Sequence, residues 1–154
     1  MKERRLLVVD ASVAQSAGET EHPVSSSCRK CLEAIRNICH RVAVTSDIKA
    51  EWNRHMSRFA RKWRRSMAAR RKPMEPVNPV ALSLNLEGFQ DVARAAIEKD
   101  FCLLQAALAA DCIIVTRDDK LRTALAGTPD GIALARRIKW VNPVTDDLEV
   151  LQSL

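Results

Sequence analysis

The chain predicts an α/β fold in a single domain spanning residues 1–154, organised around a parallel sheet. Three observations predict it. Short apolar bursts of buried-strand length recur at Leu6-Leu7-Val8-Val9, Val42-Ala43-Val44, Cys112-Ile113-Ile114-Val115 and Ile138-Lys139-Trp140-Val141. Longer stretches with apolar residues at helical spacing separate them. Two of the bursts end on acidic loops, Asp10-Ala11-Ser12 and Thr116-Arg117-Asp118-Asp119.

The elements follow in order. Residues 5–10 form the first strand, and the polar, glycine-containing stretch 16–22 reads as a loop. Pro23 suits the first turn of a helix running to about His40. After the strand at 42–44, Thr45-Ser46-Asp47 supplies capping residues for a second helix. Trp52, Met56, Phe59, Trp63 and Met67 mark a narrow apolar stripe that carries this helix as far as Lys72. Pro73, Pro76 and Pro79 then impose an extended connection. Helices are expected over 88–99 and 100–110, a strand over 112–116 and a helix over 118–126. Gly127 to Gly131 turns into the last strand at 138–141, and 146–151 suits a short terminal helix capped by Thr145.

Composition narrows the function classes. The length gives one domain a real core and is too short for two. No run approaches membrane-spanning length and the N-terminus has no apolar signal region, which points to a cytoplasmic protein with no membrane partner. Five cysteines, an odd count, argue against a disulfide framework. Cys28-x-x-Cys31 with Cys39-His40 superficially resembles a zinc set, but Cys28, Cys31, Ile35 and Ile38 share one apolar stripe, and no second CxxC accompanies them. The net charge of +6 is local: Arg54 to Lys72 carries nine Arg or Lys and no acid, whereas the rest holds 16 basic and 19 acidic residues. A basic face on one helix suits nucleic-acid phosphates, with Arg54, Arg58, Arg61, Lys62, Arg64 and Arg65 as the contacts.

Loops at the carboxyl ends of parallel strands converge on one edge of the sheet, where ligands bind. Asp10 and Asp118 belong there, Glu51 follows the second strand by a helical turn, and Asp100 begins the helix feeding the third. Four carboxylates in one cleft raise each other's pKa unless cations neutralise them. Oxygen donors without histidine or cysteine select Mg²⁺ or Mn²⁺ over zinc. Such an ion positions a water and stabilises charge on a phosphodiester. Each acid also has a purely structural alternative: Asp10 in a turn with Ser12, Glu51 paired with Arg54, Asp100 as an N-cap, and Asp118 or Asp119 capping the next helix.

LLVVDAS at 6–12, TSDIKAEW at 45–52 and KDFCLLQAALAADCIIVTRDD at 99–119 resemble the signature blocks of the PIN-domain nucleases, a family that includes the toxin ribonucleases of toxin–antitoxin modules. The resemblance runs from Leu6 to about Val141, and its helix-then-TxD block is the most specific part. It implies a three-layer α/β/α sandwich and a Mg²⁺- or Mn²⁺-dependent endoribonuclease. It further implies Asp10, Glu51, Asp100 and Asp118 as catalytic, metal-binding acids, with Ser12 and Thr116 steadying them and Asp119 as the substitute for Asp118. An RNA substrate, an antitoxin partner and a homodimer are its implied partners. The chain departs from the compact toxins in its long basic helix at about 46–72 and in the proline-rich connection that replaces a further helix pair. Two rivals remain: a non-catalytic RNA-binding protein on a PIN-like fold, working through the basic helix, and a phospho-receiver-type domain. The latter wants an acidic pair directly after the first strand, where Asp10 stands alone.

Overall fold

A computed structural model describes residues 3–154. Five strands form one all-parallel sheet: β1 (Leu6–Val9), β2 (Arg41–Val44), β3 (Glu75–Pro76), β4 (Ile113–Val115) and β5 (Lys139–Val141), in the order β3-β2-β1-β4-β5. The helices are α1 (Ala11–Ser16), α2 (Pro23–Ile38), α3 (Ser46–His55), α4 (Arg58–Ala69), α5 (Asp91–Leu108), α6 (Lys120–Leu125) and α7 (Pro129–Arg136). Short 3₁₀ turns occupy Leu86–Gly88 and Leu148–Gln152.

The strand order decides where the helices go. The chain steps outward from β1 through β2 to β3, then returns to the other side of β1 for β4 and β5. Right-handed crossovers therefore place α1–α4 on one face and α5–α7 on the other. The packing agrees: α2 lies against α1 and α4, and α6 lies against α5 and α7. The arrangement is consistent with a three-layer sandwich, and α3 touches helices of both groups, α1 and α5. Leu7, Val8, Val9, Val42, Ala43, Ile113, Ile114 and Val115 are buried, as strands covered on both faces require.

Several expectations are corrected. The single helix over 46–72 is two helices, parted at Met56, whose ψ of 141° is extended. Ser57 is the reason. Its hydroxyl caps α4 by accepting from Ala60 N at 3.0 Å, its amide donates to Ala14 O at 3.0 Å, and its hydroxyl also donates to Ala17 O, tying the junction to α1. The apolar stripe continues across the break, with Trp52, Met56, Trp63 and Met67 all buried. The two helices expected at 88–99 and 100–110 do part at Asp100, whose φ of −110° and ψ of 17° break α5 into two helical segments, but the first begins at Asp91 and not at Gly88. Residues 129–131, expected in a turn, begin α7, with Thr128 as its N-cap. The terminal helix is a 3₁₀ turn capped by Asp147 and not by Thr145. The proline connection contains β3, and α1 occupies residues left without an element.

Candidate active site

β1 and β4 lie side by side, and the crossovers leaving them run to opposite faces of the sheet. A crevice opens between loops at such a switch point. Asp10 follows β1 directly, its amide donating to Val115 O at 2.8 Å. Its Oδ2 accepts from Ser12 Oγ at 2.7 Å and from Thr116 Oγ1 at 3.0 Å, so strands β1 and β4 both fix this carboxylate. Thr116 Oγ1 in turn accepts the amide of Asp118 at 3.2 Å, and Asp118 Oδ1 accepts the amide of Lys120 at 2.9 Å. Trp52 donates its indole N–H to Val9 O at 2.8 Å, pinning α3 over the end of β1. That contact brings Asp47 and Glu51 to the cleft. Asp100 enters from the opposite face, at the kink in α5.

The cleft is a cavity of about 700 Å³ whose lining includes Asp10, Asp47, Glu51, Glu98, Asp100 and Asp118, with Arg54, His55 and Lys99 among them. Burial pushes the Asp100 carboxyl up to about 6, and the charge of Asp10 adds to this. Lys99 pulls the other way, while Asp118 and Glu51 raise it further. The other three acids singled out in the sequence therefore all act on Asp100 in this cleft. The neighbouring Cys102 thiol is pushed up to about 11 by burial and by Asp47, Asp100 and Asp10. In the metal-free protein it is protonated at neutral pH, and carboxylate oxygens are the most numerous donors in the cleft.

Three of the structural alternatives are also realised: Ser12 bonds Asp10, Asp118 caps the start of α6, and Glu51 pairs with Arg54 at 2.9 Å and His55 at 3.5 Å. Asp119 lies outside the cavity lining, accepting from Asn142 Nδ2 at 3.4 Å. Among the described residues, no three His, Cys, Asp or Glu side chains are gathered as a ready-made metal group. The chemistry of the set nonetheless fits a hard divalent cation. Oxygen donors come from both faces of the sheet, and one of them is held towards its neutral form by burial and then by the others.

The basic residues are spread out. Arg54 lines the acid cleft, Arg64 lines a second cavity, Lys62 faces Glu19 at 3.4 Å, and Arg58, Arg61 and Arg65 are exposed on α4. The apparent zinc set resolves otherwise. Cys28 and Cys31 are buried thiols, Cys31 being pushed up to about 12 by burial and then by Cys28. His40 is buried and spent on the backbone, Nδ1 accepting from Arg5 N and Nε2 donating to Leu151 O. Asp47, His55, Glu98, Lys99 and Cys102 line the cleft but were not among the candidates. Asp47 had a signal, since it precedes Glu51 by four residues on one helix face. No family model matches the chain, and neither do the curated proteins or the solved structures compared with it.

Proposed function

We propose that the protein is a Mg²⁺- or Mn²⁺-dependent endoribonuclease of the PIN type. The observation that carries the reading is the convergence of Asp10, Glu51, Asp100 and Asp118 on one cleft, with Asp100 pushed up to about 6 partly by the other three. Asp10, Asp118 and Asp100 would hold the ion, with Glu51 completing the set on release from Arg54. Bound there, the ion would supply Lewis-acid stabilisation of the phosphodiester and lower the pKa of a water. The chain's own residues do the positioning. Ser12 and Thr116 hold one oxygen of Asp10 in place. Asp100, reaching the cleft from the opposite face of the sheet, would bring its carboxylate to the ion or orient the attacking water. Arg54, in the cleft wall, faces the substrate phosphates.

Cleavage of single-stranded RNA with Mn²⁺, Mg²⁺ or EDTA tests this, with wild type beside Asp10→Asn. The expected outcome is metal-dependent cutting that falls at least about a thousandfold in the variant, as loss of a central electrostatic group does, with an unchanged circular dichroism spectrum. Full activity in Asp10→Asn would sink the assignment. The second reading, a non-catalytic RNA-binding protein, draws on the pairing of Glu51 with Arg54 and His55. It is favoured if both proteins bind RNA with strong salt dependence and neither cuts. A toxin role, its antitoxin and a homodimer rest on the resemblance. An adjacent small gene encoding a DNA-binding, acidic-tailed partner is what would support the first two.

A further inference from the structure

A second cavity of about 620 Å³ lies across α3 from the acid cleft. Asp47, Ile48, Ala50, Glu51, Arg54 and His55 of α3 face the cleft, whereas Ser46, Lys49 and Asn53 face the second cavity. At 3.6 residues per turn the two sets are centred roughly 150° apart, so one helix, about 10 Å across, is the wall between them.

The two cavities have opposite character. The second is lined by Lys49 and Arg64 and by no acid. Among the described residues neither cation forms an ion pair with a carboxylate. Arg64 Nη1 donates to Asn53 Oδ1 at 2.7 Å, which holds the guanidinium at the cavity and leaves the Asn53 amide N–H groups as further donors. Pro73, Met74, Pro76 and Val77 form the remaining wall, an apolar surface against which a base or ribose can lie. A held guanidinium, an exposed lysine and an apolar wall match one nucleotide: phosphate on the two cations, base against the wall.

We propose that this second cavity binds a backbone phosphate and its base from the same single-stranded RNA that enters the acid cleft, the strand crossing α3 between the two. The choice of RNA rests on the proposed nuclease function. The site itself rests on Lys49, Asn53 and Arg64.

The test compares wild type with Lys49→Glu/Arg64→Glu, the milder Lys49→Gln/Arg64→Gln, and a charge-matched control, Lys30→Glu/Arg137→Glu, which touches neither cavity. Each is assayed for Mn²⁺-dependent cleavage of a long single-stranded RNA and of a dinucleotide mixture, and for RNA binding in EDTA across a salt series. The expected result is a KM for long RNA raised about tenfold at unchanged kcat, with dinucleotides cut as by wild type. Loss of this one phosphate contact also flattens the log affinity against log salt slope by about 0.7. The glutamine pair shifts in the same direction, and the control changes by no more than about twofold. Long-RNA binding and KM unchanged in both cavity variants would overturn the proposal, as would an equal loss in the control. The two readings separate cleanly. If wild type binds RNA, loses binding in the cavity variants and never cuts, the second site stands and the nuclease falls. If all variants cut long RNA alike, the nuclease stands and the second site falls. RNA neither bound nor cut by wild type overturns both.

Discussion

Asp100 carries the electrostatic cost of the cleft. Its carboxyl is pushed from 3.8 to about 6, chiefly by burial and then by Asp10. A raised folded-state pKa means the folded protein holds this proton more tightly than the unfolded chain. Asp100 therefore favours the fold fully below about pH 4, and this contribution is lost as pH rises through 6. In EDTA, Asp100→Asn is expected to be more stable than wild type above pH 6, by about 1 kcal/mol after allowance for solvent screening, with the gain gone at pH 4. Adding Mn²⁺ is expected to stabilise wild type and cancel the advantage, if the proposed metal site binds it. Chemical denaturation at three pH values measures this. Cys39 offers a second check. Hydrogen bonding to Lys72 lowers its thiol pKa, with Lys72, Arg4 and Arg70 adding their charge, whereas burial raises Cys28 and Cys31. Alkylation in the native state is expected at Cys39 at least about tenfold faster than at Cys28 or Cys31, read by mass spectrometry after proteolysis. The four acids were legible because Asp10 and Asp118 follow apolar bursts, Glu51 lies a helical turn past the second burst and Asp100 opens a helical run. His55 and Cys102 were not, because only the tertiary position of α3 against α5 turns them to the cleft.

At the scale of elements, the α3–α4 junction is what seats Glu51. Trp52 anchors α3 to the end of β1, and Trp63 donates to Leu32 O at 2.6 Å, anchoring α4 to α2. The two indole rings meet at 6.0 Å. Ser57→Ala removes the cap of α4 and the hydroxyl bond to α1, and is expected to cost about 1–2 kcal/mol. Hydrogen exchange would show the loss first at the start of α4. The break was hidden in the sequence because the step from Met56 to Phe59 keeps the stripe on one face whether or not the helix is continuous. β3 was hidden because a two-residue edge strand containing Pro76 has no period to detect. Three helix-to-strand junctions place non-glycine residues at positive φ: Cys39 at 73°, Arg71 at 59° and Cys112 at 58°. Glycine is the residue that usually announces such ends; none of the three has it, and only the junction at Arg71 is marked otherwise, by Pro73.

Over the whole molecule, strand order turns a list of acids into a site. The switch between β1 and β4 sets Asp10 beside Thr116 and Asp118, and crossovers to both faces bring Glu51 and Asp100 over the same edge. Charge is divided between the edges. Arg4, Arg70 and Lys72, which precede strands, gather round Cys39 at the amino edge, opposite the acids. The nine-cation run is thus shared among the cleft, the second cavity, the face of α4 and the far edge, a distribution its linear spacing could not reveal. The parallel α/β class was legible because strands buried on both faces read as continuous apolar runs.

The most direct measurement is Mn²⁺ binding followed by electron paramagnetic resonance, with wild type beside Asp10→Asn and Asp118→Asn. The site described here predicts that wild type removes Mn²⁺ from the free-ion signal saturably and that each variant weakens this at least about tenfold, a loss of about 1.4 kcal/mol. Wild-type protein that binds no Mn²⁺, or variants that bind it as tightly as wild type, would contradict a shared metal site in the cleft.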